Sequence, residues 1–237
     1  DAGGALKITG GSLTLTGANT YTGGTQLNAG TLTAGNNSAL GTGTLAMAAG
    51  TTLGFANTGN YAIANAITVS GDATFLASAG TAQTLSGIIS DATGGAPAGA
   101  VVVNGGGTLV LSGANTYTGG TTICGTACGI AGGSSVLQVG VDTVGTPGAI
   151  VSSAIGTGLL TFDGGTLQAG GNYTIANNAQ INATGGTIDA NGYTFTYSGN
   201  ISGAGGLSVL GASAFLGRVV DTLGNPLDDL GPIEAEG

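Results

Sequence analysis

The sequence predicts an all-β protein, a right-handed parallel β-helix (solenoid). Three observations lead there: 51 glycines spread through 237 residues, a long internal duplication, and short alternating segments closed by turn formers. Each interior glycine costs a helix about 1 kcal/mol relative to alanine. The longest glycine-free stretch, Asn172 to Thr184, alternates rather than following a helical period. Disorder is disfavoured because hydrophobic residues make up 41% of the chain. Collagen needs glycine at every third position, a period the chain lacks.

The duplication is the strongest signal. Residues 11–27 read GSLTLTGANTYTGGTQL and residues 107–123 read GTLVLSGANTYTGGTTI, with Gly17–Thr25 identical to Gly113–Thr121. Ser38–Gly43 answers Ser153–Gly158, Gly59–Asn65 answers Gly171–Asn177, and Leu85–Gly87 answers Tyr197–Gly199. The offset widens from 96 to 115 and settles at 112, so the second copy gains 19 residues between Ile123 and Ser153. This divides the chain into a first β-helix unit at 1–105, a second at 106–211 with an insertion around 124–152, and a non-repeating tail at 212–237.

Within each copy the elements are strand-sized. Gly11–Thr16, Gly30–Ala34, Gly43–Met47 and Gly50–Phe55 each hold a few alternating residues ending in Gly, Asn or Ser. In Ser12-Leu13-Thr14-Leu15-Thr16 a period of two turns the leucines inward and the hydroxyl side chains outward. The spacing predicts two or three strands per coil and on the order of ten coils. A solenoid accommodates the insertion because extra residues leave one coil as a loop; a sandwich or barrel, the competing architecture, gives no such reason. Leu, Ile, Val and Ala suit an interior one side chain deep. With 13 charged residues, repelling ladders between stacked coils are avoided.

The motif Gly-Ser/Thr-Leu-x-Leu-Ser/Thr-Gly-Ala-Asn-Thr-Tyr-Thr-Gly-Gly-Thr, at 11–25 and 107–121, resembles the autotransporter-associated β-strand repeat of bacterial passenger domains. Gly199–Gly211 resembles the lead-in to another copy. The resemblance covers about residues 1–211. It implies a parallel β-helix, export across two membranes (type V secretion), and a place at the bacterial cell surface or outside the cell. Asp1-Ala2-Gly3-Gly4 reads as a mature or excised start, and no membrane-spanning segment or transport barrel is expected within 1–237. In the tail, Phe215–Ile233 (FLGRVVDTLGNPLDDLGPI) resembles a short stretch of the rotary and flagellar-export ATPases. No phosphate-binding GxxxxGK[ST] loop accompanies it, so no ATPase activity is expected.

Composition limits chemistry. There is no histidine, so Ser-His and Cys-His nucleophiles are absent, and two cysteines alone do not make a zinc site. No catalytic residue, metal ligand or cofactor site is expected. Asp142, Asp163 and Asp189 are spaced near one coil apart, so a shared face would give them glycosidase-like geometry. Isolated surface acids are the favoured reading. Cys124 and Cys128, in an oxidising location, read as a local disulfide pinning a loop. Asn19 and Tyr21, with Asn115 and Tyr117, are read as a turn cap and an edge shield ahead of a ligand-contacting surface. The net charge of −9 disfavours nucleic acid.

The expected function is a non-enzymatic structural or adhesive passenger stalk. Its expected partner is a host or neighbouring-cell surface, or the chain itself by end-to-end stacking. A self-assembling filament and, more remotely, a polysaccharide-degrading enzyme are the alternatives. The tail is expected to cap the last coil, with Phe215, Leu216, Val219 and Val220 over Ile201, Leu207 and Leu210, and its acids discouraging a further chain from docking. Pro226, Asp228 and Asp229 make its final stretch a poor strand former.

Overall fold

A computed structural model gives the chain as a three-sided parallel β-solenoid; it describes residues 3–94, 97–128 and 133–211, with the backbone of Phe215–Leu216. The expected cap, and the ATPase-like stretch apart from that dipeptide backbone, lie outside the described residues. Among the described residues the one helical element is the 3-10 turn Thr126–Cys128.

Parallel pairing stacks each strand on its counterpart one coil earlier. One side carries nine rungs: Ser12–Leu15, Thr31–Ala34, Thr52–Phe55, Asp72–Leu76, Ala100–Asn104, Thr121–Cys124, Leu160–Asp163, Ala179–Ile181 and Ile201–Gly203. At about 4.8 Å per rung this is a rod roughly 40 Å long. Its inward column runs Leu13, Leu32, Leu53, Phe75, Val103, Ile123, Phe162, Ile181 and Gly203, in unbroken register. From Leu32 to Ile181 these side chains are essentially buried. The outward column beside it is Ser12, Thr31, Thr52, Thr74, Val102, Thr122, Thr161, Gln180 and Ser202, uncharged throughout. The predicted alternation is thus realised with three strands per coil.

The other two sides explain the duplication. In the first copy, Leu6–Ile8, Thr25–Leu27, Leu45–Met47, Ile67–Val69 and Ile89–Asp91 stack on a second side. Their second-copy equivalents, Thr121–Ile123, Leu160–Phe162, Ala179–Ile181 and Ile201–Gly203, lie on the nine-rung side instead. The first copy's third-side strands, Ala62–Ile63 and Ala82–Leu85, are followed there by Thr108–Leu111, the equivalent of Ser12–Leu15. The second copy is therefore turned one side around the axis. Strand Ala100–Asn104, paired with Asp72–Leu76 before it and Thr121–Cys124 after it, joins the two phases.

The 19 extra residues leave as two excursions, not one. Residues 28–30 turn the first-copy corner between Leu27 and Thr31, whereas residues 124–135 span the equivalent corner between Ile123 and Val136. Asn37 is followed directly by Ser38, but ten residues separate Asp142 from Ser153. Those ten build an antiparallel hairpin, Val144–Thr146 with Ala149–Ser152. Its base is tied to the stack by reciprocal bonds between Asn115 and Ser153 (N to O, 2.9 and 3.1 Å) and by Thr143 N donating to Thr174 O at 2.9 Å.

Because the first copy closes without this hairpin, joining Asp142 directly to Ser153 should leave the solenoid intact. We expect a circular-dichroism melt of the shortened chain to fall within a few degrees of the parent; a collapse of the β signal would show that the hairpin is part of the scaffold.

Candidate functional site

The duplicated motif builds a corner staple. In the first copy the Asn19 amide donates to Ala39 O on the next coil at 2.7 Å, and the Tyr21 hydroxyl bonds the Thr25 hydroxyl at 2.6 Å. The second copy repeats it: Asn115 Nδ2 donates to Ala154 O at 2.6 Å, and the Tyr117 and Thr121 hydroxyls meet at 2.6 Å. Asn115 is fully buried and its Oδ1 also accepts from Ile89 N at 2.7 Å, so one side chain clips three coils. The ring of Tyr117 leaves no room beside Gly156, whose φ is +70° and whose notional Cβ would lie 2.6 Å from the ring. Gly41 (φ +62°) stands in the same relation to Tyr21. Only glycine relieves both the backbone and the space constraint there.

A further asparagine clip follows each motif. Asn65 Nδ2 donates to Gly41 O and Gly43 O at 3.1 and 2.7 Å; Asn177 Nδ2 donates to Gly156 O and Gly158 O at 3.0 and 2.8 Å. The Gly-Asn-Tyr repeat held these residues in view, but their role was not legible, because the carbonyls they bind lie 19–24 residues earlier.

The three aspartates do not share a side. Asp163 ends a strand of the nine-rung side and accepts from the Thr184 hydroxyl at 2.6 Å. Asp189 ends a third-side strand and accepts from Gln168 Nε2 at 2.9 Å, the last step of a Gln138–Gln168–Asp189 ladder. Asp142 precedes the hairpin and accepts from Thr174 N at 2.7 Å. Near-coil spacing did not bring them to one side because corner loops lengthen the coils unequally. Each ties one coil to the next.

Cys124 and Cys128 are disulfide-bonded with Cα atoms 5.7 Å apart. The bond lies at the base of the corner loop, where Ser135 N closes onto Cys124 O at 3.0 Å.

A family model described as the passenger-associated-transport-repeat matches residues 7–34 and 101–125, the two motif-bearing stretches. One such repeat thus lies in each copy of the duplication, a likeness to autotransporter passengers. A 109-residue stretch of the chain is 38% identical to the adhesin BmaC autotransporter of Brucella suis biovar 1 (strain 1330), covering 45% of this chain and 3% of that protein. No solved structure matches it. These similarities indicate a location at the bacterial cell surface or outside the cell. Among the described residues no helix is long and apolar enough to cross a membrane, which says nothing of β-barrel strands.

Two outcomes follow from the staple. Asn115→Ala strands a buried N–H and a buried carbonyl, each worth about 1–3 kcal/mol, and should cost about 2–4 kcal/mol. Asn19→Ala removes one half-exposed bond and should cost about 1 kcal/mol. Denaturant titration of both variants measures the difference, and equal losses would contradict the three-coil clip. Burial raises the phenol pKa of Tyr117 far above its usual 10.0, the Thr121 hydrogen bond only partly opposing it, and burial raises Tyr197 likewise. Below pH 10 both stay neutral whether folded or not, so their contribution is whole. Above it the unfolded phenols release protons that the folded ones hold, and stability falls by about 1.4 kcal/mol per pH unit for each. A melt series between pH 8 and 12 should therefore turn steeply downward above pH 10, and Tyr117→Phe should flatten that slope.

Proposed function

We propose that this chain is a segment of an autotransporter passenger, a rigid, non-enzymatic stalk whose outer faces take part in adhesion to a host or neighbouring-cell surface. The observation that carries the reading is the nine-rung stack with its uncharged outward column, joined to a local match with an adhesin autotransporter. A rod whose neighbouring coils are hydrogen-bonded through the backbone resists bending and holds surface side chains at fixed spacing. The enzymatic alternative loses its main support with the dispersal of Asp142, Asp163 and Asp189. The chain matches only 3% of the length of its adhesin relative, so what the whole protein binds belongs to the proposal as well. The Cys124–Cys128 pair fits this role as a local clip on a corner loop, and the two repeat units as successive lengths of the stalk.

The test is display of residues 1–237 on a non-adherent bacterium. Retention on epithelial monolayers and on neighbouring cells should exceed that of the empty display scaffold several-fold. Retention equal to the scaffold's on both would reject an adhesive role and leave a purely structural one.

A further inference from the structure

The duplication supplies an internal control for function, because the two copies share a scaffold while parts of their surfaces differ. Register aligns Tyr61 with Tyr173, Thr81 with Tyr193 and Gln83 with Phe195. The same side-chain rungs hold both copies: Asn37 Oδ1 accepts from Ala62 N at 3.0 Å where Asp142 accepts from Thr174 N. Likewise Asn60 Oδ1 accepts from Ala82 N at 2.8 Å where Asn172 accepts from Thr194 N at 2.9 Å. In the first copy this surface is closed by its own polar groups. Gln83, buried, accepts from Tyr61 N at 2.8 Å and donates to Gly59 O at 3.1 Å, while Thr58 engages the Tyr61 hydroxyl at 2.8 Å.

In the second copy those closures are gone. Phe195 replaces the glutamine in the interior, and Tyr193 stands 40% exposed in the turn Ala190–Tyr193, one coil from Tyr173. Neither the Tyr173 nor the Tyr193 hydroxyl has a partner among the described residues. On the preceding coil of the same side rises the hairpin, exposing Val144 (55%) and Val151 (67%), and Leu159 (43% exposed) stands where the first copy has Thr44. Between the hairpin and the coil wall lies a cleft of about 380 Å³, lined by Ala149, Ile150, Thr157, Leu159 and Asn178 among others. The first-copy corner has a cleft of about 410 Å³ walled by threonine, glycine, glutamine and alanine, with no large apolar side chain.

We propose that this face of the second copy, from the 143–152 hairpin across Tyr173 to Tyr193, is a binding site for an uncharged glycan. The proposal rests on the adhesive reading above and names its ligand class. Tyrosine rings offer an apolar face to the C–H surface of a pyranose and a hydroxyl to its rim. Exposed Asn172 and Asn178 accept backbone N–H groups at Oδ1 and present their Nδ2 groups to sugar hydroxyls. Rungs about 4.8 Å apart let successive coils meet successive sugars of an extended chain. Charge selects against anionic ligands: the chain's two basic residues are Lys7, on the first coil, and Arg218, in the tail, while Asp142 lies at the hairpin base.

The experiment uses residues 1–237 on an array of neutral and anionic oligosaccharides, with Tyr193→Thr and Leu159→Thr restoring first-copy residues, the 143–152 deletion, and Tyr61→Ala as control. Binding to neutral oligosaccharides, insensitive to salt, should fall at least tenfold in Tyr193→Thr and in the deletion, while Tyr61→Ala binds as the parent does. Matching melts would confirm that the variants fold. No glycan bound, binding confined to anionic glycans, or neutral binding unchanged by the reversions would each overturn the proposal. Displayed on cells, a parent and Tyr193→Thr that adhere equally would sink this site and leave the adhesive reading standing; loss of all adhesion in the parent would sink that reading itself. Adhesion removed by protease treatment of the target cells but not by glycosidases would assign the face to a protein partner and likewise overturn it.

Discussion

Everything in this molecule depends on backbone pairing between one coil and the next. A parallel rung satisfies its N–H and C=O groups only from the rungs above and below, so a coil is not stable by itself and every residue inherits a fixed neighbour one turn away. That constraint makes the interior a set of columns, Leu32 over Leu53 over Phe75 and onward, rather than a three-dimensional jigsaw. It also explains the scarcity of charge: a charged side chain on the central outward column would meet its counterpart about 4.8 Å away. Threonine suits the place, being β-branched, stiff and neutral.

The corners are where the constraint is hardest to meet, since a turning backbone leaves carbonyls unpaired. Asn19, Asn65, Asn115 and Asn177 all donate their amides to such carbonyls on a neighbouring coil. The tyrosine of the motif then covers the corner, and Gly41 or Gly156 yields the space it needs. A motif of this kind is a structural joint, which is why it repeats as a block while the surfaces between joints vary.

Much of this was legible in the sequence. Period-two leucines in Ser12–Thr16 and the duplicated motif imply stacked strands directly, because both are local patterns whose meaning survives translation along the axis. Asn115 was read as a cap of its own turn; its two side-chain partners, Ala154 O 39 residues later and Ile89 N 26 residues earlier, lie on other coils and were not legible. Two features were hidden. The insertion looked single because residues 136–142 have too little identity to residues 31–37 to anchor an alignment, yet Val136–Val139 pairs as Thr31–Ala34 does. The dispersal of Asp142, Asp163 and Asp189 was hidden because equal spacing in sequence means equal phase only if coils are of equal length, and here they are not.

The one-side rotation between copies follows from the same arithmetic. Early offset 96, divided by the 22-residue steps of the regular coils, such as Leu45 to Ile67 and Ile67 to Ile89, leaves a remainder close to one third of a turn. The remainder is a whole side, so equivalent strands still meet strands and the pairing continues without a fault. A remainder of half a side would set strands against corners and break every rung at the junction. Duplication in this architecture is thus tolerated only in steps of one side. Each tolerated step carries the motif's corner to a new azimuth, so a hairpin inserted in one copy projects from a direction that the matching corner of the other copy never occupies.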